Sequence, residues 1–209
     1  MSGGEIERLA QTRARTLELT AGLAQGDLDR RPAAGGWSIG EILDHLLKAE
    51  AANRGEIAAL IALARAGRPP FLVRGLTPAD PAPAFVPRSL LPLLALPFAA
   101  AALLLPFGAR ELILRSRRLP ARAADAMQPR PRRQGSDLRR ELAESLAATR
   151  SLFAANADLD FRRMTHLHPL LGANDAWEIV RLTAAHEERH QEQMADLLRA
   201  IQQRQRREP

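Results

Sequence analysis

The apolar residues of this chain fall into helical registers at both ends and lose them in the middle. From Glu5 to about Ala24, Ile6, Leu9, Ala10, Leu17, Leu19 and Leu23 recur at roughly helical spacing, which predicts a first amphipathic helix. Residues 27–36 read as a loop. Trp37-Ser38-Ile39-Gly40-Glu41 then opens a second helix. Ser38 with Glu41 three residues on is a capping box, in which each side chain satisfies a free backbone N–H of the other. This helix runs from Ile39 to about Ala66, where Gly67 and Pro69-Pro70 stop it. A third helix is predicted from Asp137 to about Asn156 on Leu138, Leu142, Leu146, Ala147, Leu152 and Phe153. Residues 157–174 read as a loop holding His168-Pro169-Leu170-Leu171-Gly172. Asn174 or Asp175 caps a fourth helix reaching about Arg204. Its inner stripe is Ile179, Leu182, His186, His190, Gln193 and Leu197, flanked by Val180 and Met194. Four long helices without strand patterns predict an all-α chain, a four-helix bundle.

The middle is different. Twelve of the fifteen prolines lie between Pro69 and Pro131, and proline breaks helix interiors. Residues 68–136 therefore read as an insertion between helices two and three of a single domain, 1–209. Within it, Ser89 to Ala109 is a run of 21 residues without a charge. That length meets the criterion for a bilayer crossing, but Pro92, Pro97 and Pro106 interrupt it. The preferred reading is an apolar arm packed over the bundle or against a second subunit, which makes a homodimer the expected assembly. Contact with a membrane surface through 89–118 is the alternative.

Charge sharpens this picture. Residues 108–140 hold ten arginines and three acids, a balance of +7, while the whole chain carries +6. The basic character is thus local to the Arg-rich stretch 110–140. No aromatic residue interleaves with it, so base stacking has little to work with and nucleic acid is not an expected partner. A solvated linker, or a basic face toward anionic head groups, fits better. The first thirty residues are charged and amphipathic, unlike a signal peptide. The expected location is the cytoplasm, with the periphery of the inner membrane as the variant if the arm touches lipid. The chain has no cysteine and no tyrosine, and Lys48 is its one lysine. Disulfide scaffolds, cysteine-ligated metal sites and cysteine or tyrosine catalysis are excluded.

Three histidines carry the candidate chemistry. His186 and His190 are four apart on the last helix, so both imidazoles share one face. His45 lies among Ile42, Leu43 and Leu46 on the second helix. An i, i+4 pair with one residue from another helix can make a three-nitrogen metal site with open positions, the pattern of catalytic zinc and related metals. Two histidines hydrogen-bonded within the core are the alternative on spacing alone.

Trp37-Ser38-x-x-Glu41-x-x-x-His45, His168-Pro169-x-x-Gly172 and His186-Glu187-x-x-His190-x-x-Gln193 together resemble the DinB-like (DinB/YfiT-like) superfamily over residues 1–67 and 137–204. The resemblance implies a four-helix bundle in which three histidines bind a divalent metal, often nickel or zinc in members, with iron a third candidate for this chain. By motif position the ligands would be His45, His186 and His190. It also implies a small-molecule substrate and metal-dependent transferase or hydrolase chemistry. The favoured version uses a low-molecular-weight thiol such as mycothiol, bacillithiol or glutathione, since a metal cation lowers the pKa of a bound thiol or water. The rival is a non-enzymatic ligand-binding or membrane-associated bundle. No general base stands out, and the catalytic residues are unknown. Glu41 reads chiefly as the capping carboxylate, although it is one turn from His45. Gln193 either orients a ligand or bonds locally. Glu187 is expected to face solvent, His166 to be a surface histidine and His168 to order its loop. Trp37 is expected to anchor the loop before the second helix. With no inward acid expected on the last helix, a di-iron site of the ferritin kind is disfavoured.

Overall fold

A computed structural model describes residues 3–33, 35–75, 82–83, 86–116, 121–168 and 170–206. The chain is mostly helical, in keeping with the all-α expectation. Helix α1 spans Gly4–Thr20, α2 Gln25–Asp29 and α3 Ile39–Arg65. Helix α4 spans Leu91–Leu104, α5 Phe107–Arg115, α6 Gly135–Ala154 and α7 Ala176–Gln205. The long helices α1, α3, α6 and α7 pack on one another. Two of them start on a capping box. Ser38 Oγ accepts from the Glu41 N–H and Glu41 returns to the Ser38 N–H, at 3.2 and 2.9 Å. Asp175, rather than Asn174, caps α7 and pairs reciprocally with Glu178.

Two departures from the sequence reading have local causes. Helix α1 ends four residues early because Gly22 takes a left-handed φ of 73°, open to glycine without a Cβ penalty. The loop expected at 27–36 then begins inside the short α2. The loop expected at 157–174 contains a hairpin, β4 (Thr165–His168) with β5 (Gly172–Asp175), paired antiparallel as Thr165↔Asp175 through His168↔Gly172. Strand β1 (Phe71–Val73) adds to β4 in parallel, giving the order β1-β4-β5. A two-residue pair, β2 (Ala82–Pro83) with β3 (Ala121–Arg122), lies in the middle region. The expectation of no strands is corrected to that extent. Pro169, which follows His168 in its motif, lies outside the described residues, as do Arg117 and Arg118 of the basic stretch.

The core has two apolar clusters. Leu9, Ile57, Leu60, Phe153, Phe161, Met164, Trp177 and Val180 form one. Leu28, Ile39, Ile42, Leu43, Leu46, Leu138, Leu142, Met194 and Ile201 form the other. Between them on the helices lies a buried polar layer of Arg13, Thr16, Glu50, Thr149 and Glu187.

The charge-free run folds as α4, a break at Leu105-Pro106, and α5, bent by 114° from α4. Among the described residues no single helix is long and apolar enough to cross a membrane; that bent pair meets the length and composition test only when its halves are joined. Helix α4 rests on the hairpin at Gly172. A Cβ there would lie 2.7 Å from the Ala102 carbonyl oxygen, and φ is 70°, so glycine fits on both counts. Nor is the basic stretch a free linker. Arg110 donates to the carbonyls of Leu171 and Ala173 at 2.6 and 2.7 Å, Arg115 pairs with Glu188, and Arg133 bridges Asp44 and Glu141. Glu111 joins Arg8 and Arg181, tying α5 to α1 and α7.

Candidate metal centre

Helix α3 presents His45 and α7 presents His186 and His190, one turn apart as their spacing requires. All three imidazoles meet. His186 Nε2 lies 3.3 Å from His45 Nε2 and 3.2 Å from His190 Nε2, and one nitrogen from each ring lies within 4.8 Å of the others. The ring centroids are 4.7 to 5.1 Å apart. Trp37, just before the α3 cap, stacks at a tilt on His45 with centroids 4.6 Å apart, and it lies 6.2 Å from His190. It does anchor this loop, and it also covers the histidines.

The outer nitrogens fix the inner ones. His45 Nδ1 lies 2.9 Å from the Met127 carbonyl. A carbonyl can only accept, so Nδ1 carries the proton and Nε2 is left with a lone pair. Gln193 Oε1 stands 3.0 Å from His190 Nδ1 and sets that ring the same way. Gln193 therefore orients a ring, one of the two roles open to it in the sequence. Two lone pairs thus face His186 Nε2, and a neutral His186 has at most one proton to offer them. Adding a second proton is opposed. Burial, then the neighbouring His190 and His45, then Arg189, hold the His186 pKa well below the ordinary imidazole value. Burial also lowers that of His45; the nearby Lys48 adds to this, while the Met127 carbonyl and Asp44 oppose it. Three imidazole nitrogens that converge from two helices, two of them on rings whose outer nitrogen is already tethered, are suited to one cation. His45 and His190 are buried, and His186 is half-buried.

The other residues singled out in the sequence go elsewhere. Glu41 serves the cap and also binds Arg31; burial pushes its pKa up, but Arg31 and the Ser38 N–H outweigh this and hold it low. His168 Nδ1 accepts from the N–H groups of Leu170 and Leu171, ordering the hairpin turn. His166 is buried, not on the surface, with Nδ1 3.1 Å from Glu56. Glu187 overturns its expectation most clearly. It is 1% exposed, and its carboxylate takes two bonds of 2.9 Å from Arg13 and one of 2.6 Å from Thr16. The last helix does carry an inward acid, but Arg13 neutralises it and also binds Glu50 at 2.7 Å.

Sequence reasoning missed two features of the site. The Met127 carbonyl is a backbone group, which leaves no residue signature. Its segment comes from the proline-rich middle and is held by Arg130 N–H on Asp44 at 2.7 Å and Lys48 on the Gln128 carbonyl at 2.5 Å. The pairing of Glu187 with Arg13 spans 174 positions.

A mostly helical chain gathers three histidines from two helices, two of them with the outer nitrogen already tethered, into a group that could hold a metal ion. The chain belongs to the DinB superfamily, whose profile matches residues 8–194, both flanks and the stretch between them. Neither the curated proteins nor the solved structures contain a match.

Proposed function

We propose that this protein is a metal-dependent enzyme of the DinB superfamily, with one divalent transition metal (nickel, zinc or iron) held by His45, His186 and His190. The observation that carries the reading is the convergence of three imidazole Nε2 atoms, with the Nδ1 atoms of two rings held by Met127 and Gln193. In this reading α1, α3, α6 and α7 form the bundle of a single domain, and residues 68–136 are an insertion that reaches back to the site at Met127. Bound there, the cation supplies Lewis acidity that makes a thiol or water reactive at neutral pH. Met127 and Gln193 orient two rings, Trp37 packs over His45, and the half-buried His186 is the ligand through which a small-molecule substrate would reach the site. The favoured reaction is transfer or hydrolysis with a low-molecular-weight thiol as cosubstrate, the sulfur arriving on that molecule because the chain has none of its own as cysteine.

Elemental mass spectrometry of the purified protein beside His186→Ala tests this. A stoichiometric transition metal, lost in the variant, is expected, and it justifies a screen of thiol cosubstrates. Absence of metal after reconstitution with nickel, zinc or iron overturns the proposal.

A further inference from the structure

One face of the apolar arm packs on the fold and the other leaves several leucines in water. Leu93, Leu96 and Leu104 are 75%, 80% and 85% exposed, and Leu103, Leu105, Leu112 and Ile113 are exposed as well. Pro92, Pro97, Ala100, Ala101 and Pro106 fill the surface between them. From Leu91 to Pro106 the described exposed side chains include no donor, acceptor or charge. The opposite side of α4 is already used: Leu91 is buried with Val86, against which Leu94, Phe98 and Leu170 pack.

Such a face needs a cover, since contiguous apolar surface of this kind marks an interaction site. Its chemistry selects the cover. Protein interfaces, even between identical subunits, carry polar groups and about one hydrogen bond per 100–200 Å²; this face has no side chain to make one. Lipid tails ask for none. The flanks complete the match. Arg88 bounds the run on one side, and Arg115 follows one turn after exposed Leu112 on the other. The ion pairs of Arg88 and Arg115 leave 38% and 49% of those side chains exposed. Basic residues beside an apolar face are what an anionic head-group layer binds. Helix α4 has fourteen residues, about 21 Å of rise, short of the roughly 30 Å hydrocarbon core, and the chain turns sharply after it. It can lie in the interface and cannot cross.

We propose that the exposed face of α4 and the start of α5 dock the protein on an anionic lipid bilayer, with the leucines in the acyl boundary and the flanking arginines among the head groups. This inference is independent of the metal reading.

Flotation of the full-length protein with phosphatidylcholine vesicles, with and without phosphatidylglycerol, tests it. Binding to the anionic vesicles is expected to exceed that to neutral ones by about tenfold or more and to weaken with salt. The double variant Leu96→Glu, Leu104→Glu changes only exposed positions. It should lose vesicle binding by about tenfold or more while keeping its helical circular dichroism and its metal content. Failure to float with anionic vesicles, or equal flotation of the variant, overturns the proposal. So does a dimer in ultracentrifugation that the double variant dissolves without any vesicle binding in the parent, which would assign the face to a second copy of the chain.

Discussion

Helix α7 carries two polar clusters side by side, and they are built on opposite principles. Glu187 turns toward α1 and closes a network: Arg13 binds Glu187 and Glu50, Thr16 and Thr149 add hydroxyls, and Arg13 also donates to the Leu142 carbonyl. Arg54, 3.8 Å from Glu50, supplies the second guanidinium that balances the two carboxylates. His186 and His190, both displaced to one side of Glu187 around the helix, turn toward His45 and form a cluster that lacks positive charge at its centre. The first cluster is complete without a ligand, and the second is the one the proposed cation would complete. Burial alone does not separate structural from functional polar groups; the balance of donors, acceptors and charge does.

The contrast can be broken at its strongest point first. Arg13→Met leaves Glu187 with the Thr16 hydroxyl and Glu50 with the Thr149 hydroxyl and Arg54 at 3.8 Å, both without their guanidinium hydrogen bonds, and is expected to cost about 3–5 kcal/mol, read by thermal or urea unfolding. Combining it with Glu50→Leu and Glu187→Leu should restore most of that loss, because an apolar layer of similar volume replaces the network. If the triple variant is as weak as the single one, the closed-network account fails.

The histidine cluster should respond to metal instead. Nickel or zinc at a hundredfold excess over its dissociation constant should raise the stability of the parent by about 2.7 kcal/mol. The melting temperature of His186→Ala should not move. Gln193→Leu removes the acceptor that sets His190 and is expected to weaken metal binding about tenfold, measured by competition with a chelator. An unchanged affinity would return Gln193 to a purely local role.

Acid sharpens the comparison at the arm. Burial pushes the Glu111 carboxyl up, but Arg8 and Arg181 outweigh it and hold the pKa below the ordinary glutamate value. A carboxylate depressed in the folded state stabilises above its ordinary pKa, and the contribution disappears as pH falls through the lower, folded value. The stability advantage of the parent over Glu111→Gln should therefore be full near neutrality and shrink below about pH 4. A constant difference across that range would show that Glu111 acts through packing rather than charge.

The sequence read the helical flanks well because their signals are local. The capping box at Ser38 and Glu41 and the spacing of His186 and His190 need only neighbours three or four positions away, and the resemblance to the DinB superfamily rests on them. It misread Glu187 because periodicity assumes one buried face per helix. Helix α7 packs against α1, α3 and α5, so residues about 100° apart on it are both interior. It missed the sheet for a related reason. Strands β4 and β5 have four residues each, too few for alternation to register, and β1 finds its partner 94 positions along the chain at Phe71↔Thr165.

What the sequence determined by itself was the set of long helices, their caps, the i, i+4 histidine pair and the charge-free run with its basic flank. Each depends on dihedral preference, side-chain period or composition. Only the tertiary structure decided that His45 meets the pair nitrogen to nitrogen, that a backbone carbonyl from the proline-rich middle sets one ring, that Arg13 neutralises Glu187, and that Leu93, Leu96, Leu103 and Leu104 of α4 stay uncovered. Those facts depend on pairs of groups far apart in the chain, and only close packing brings such pairs within bonding distance.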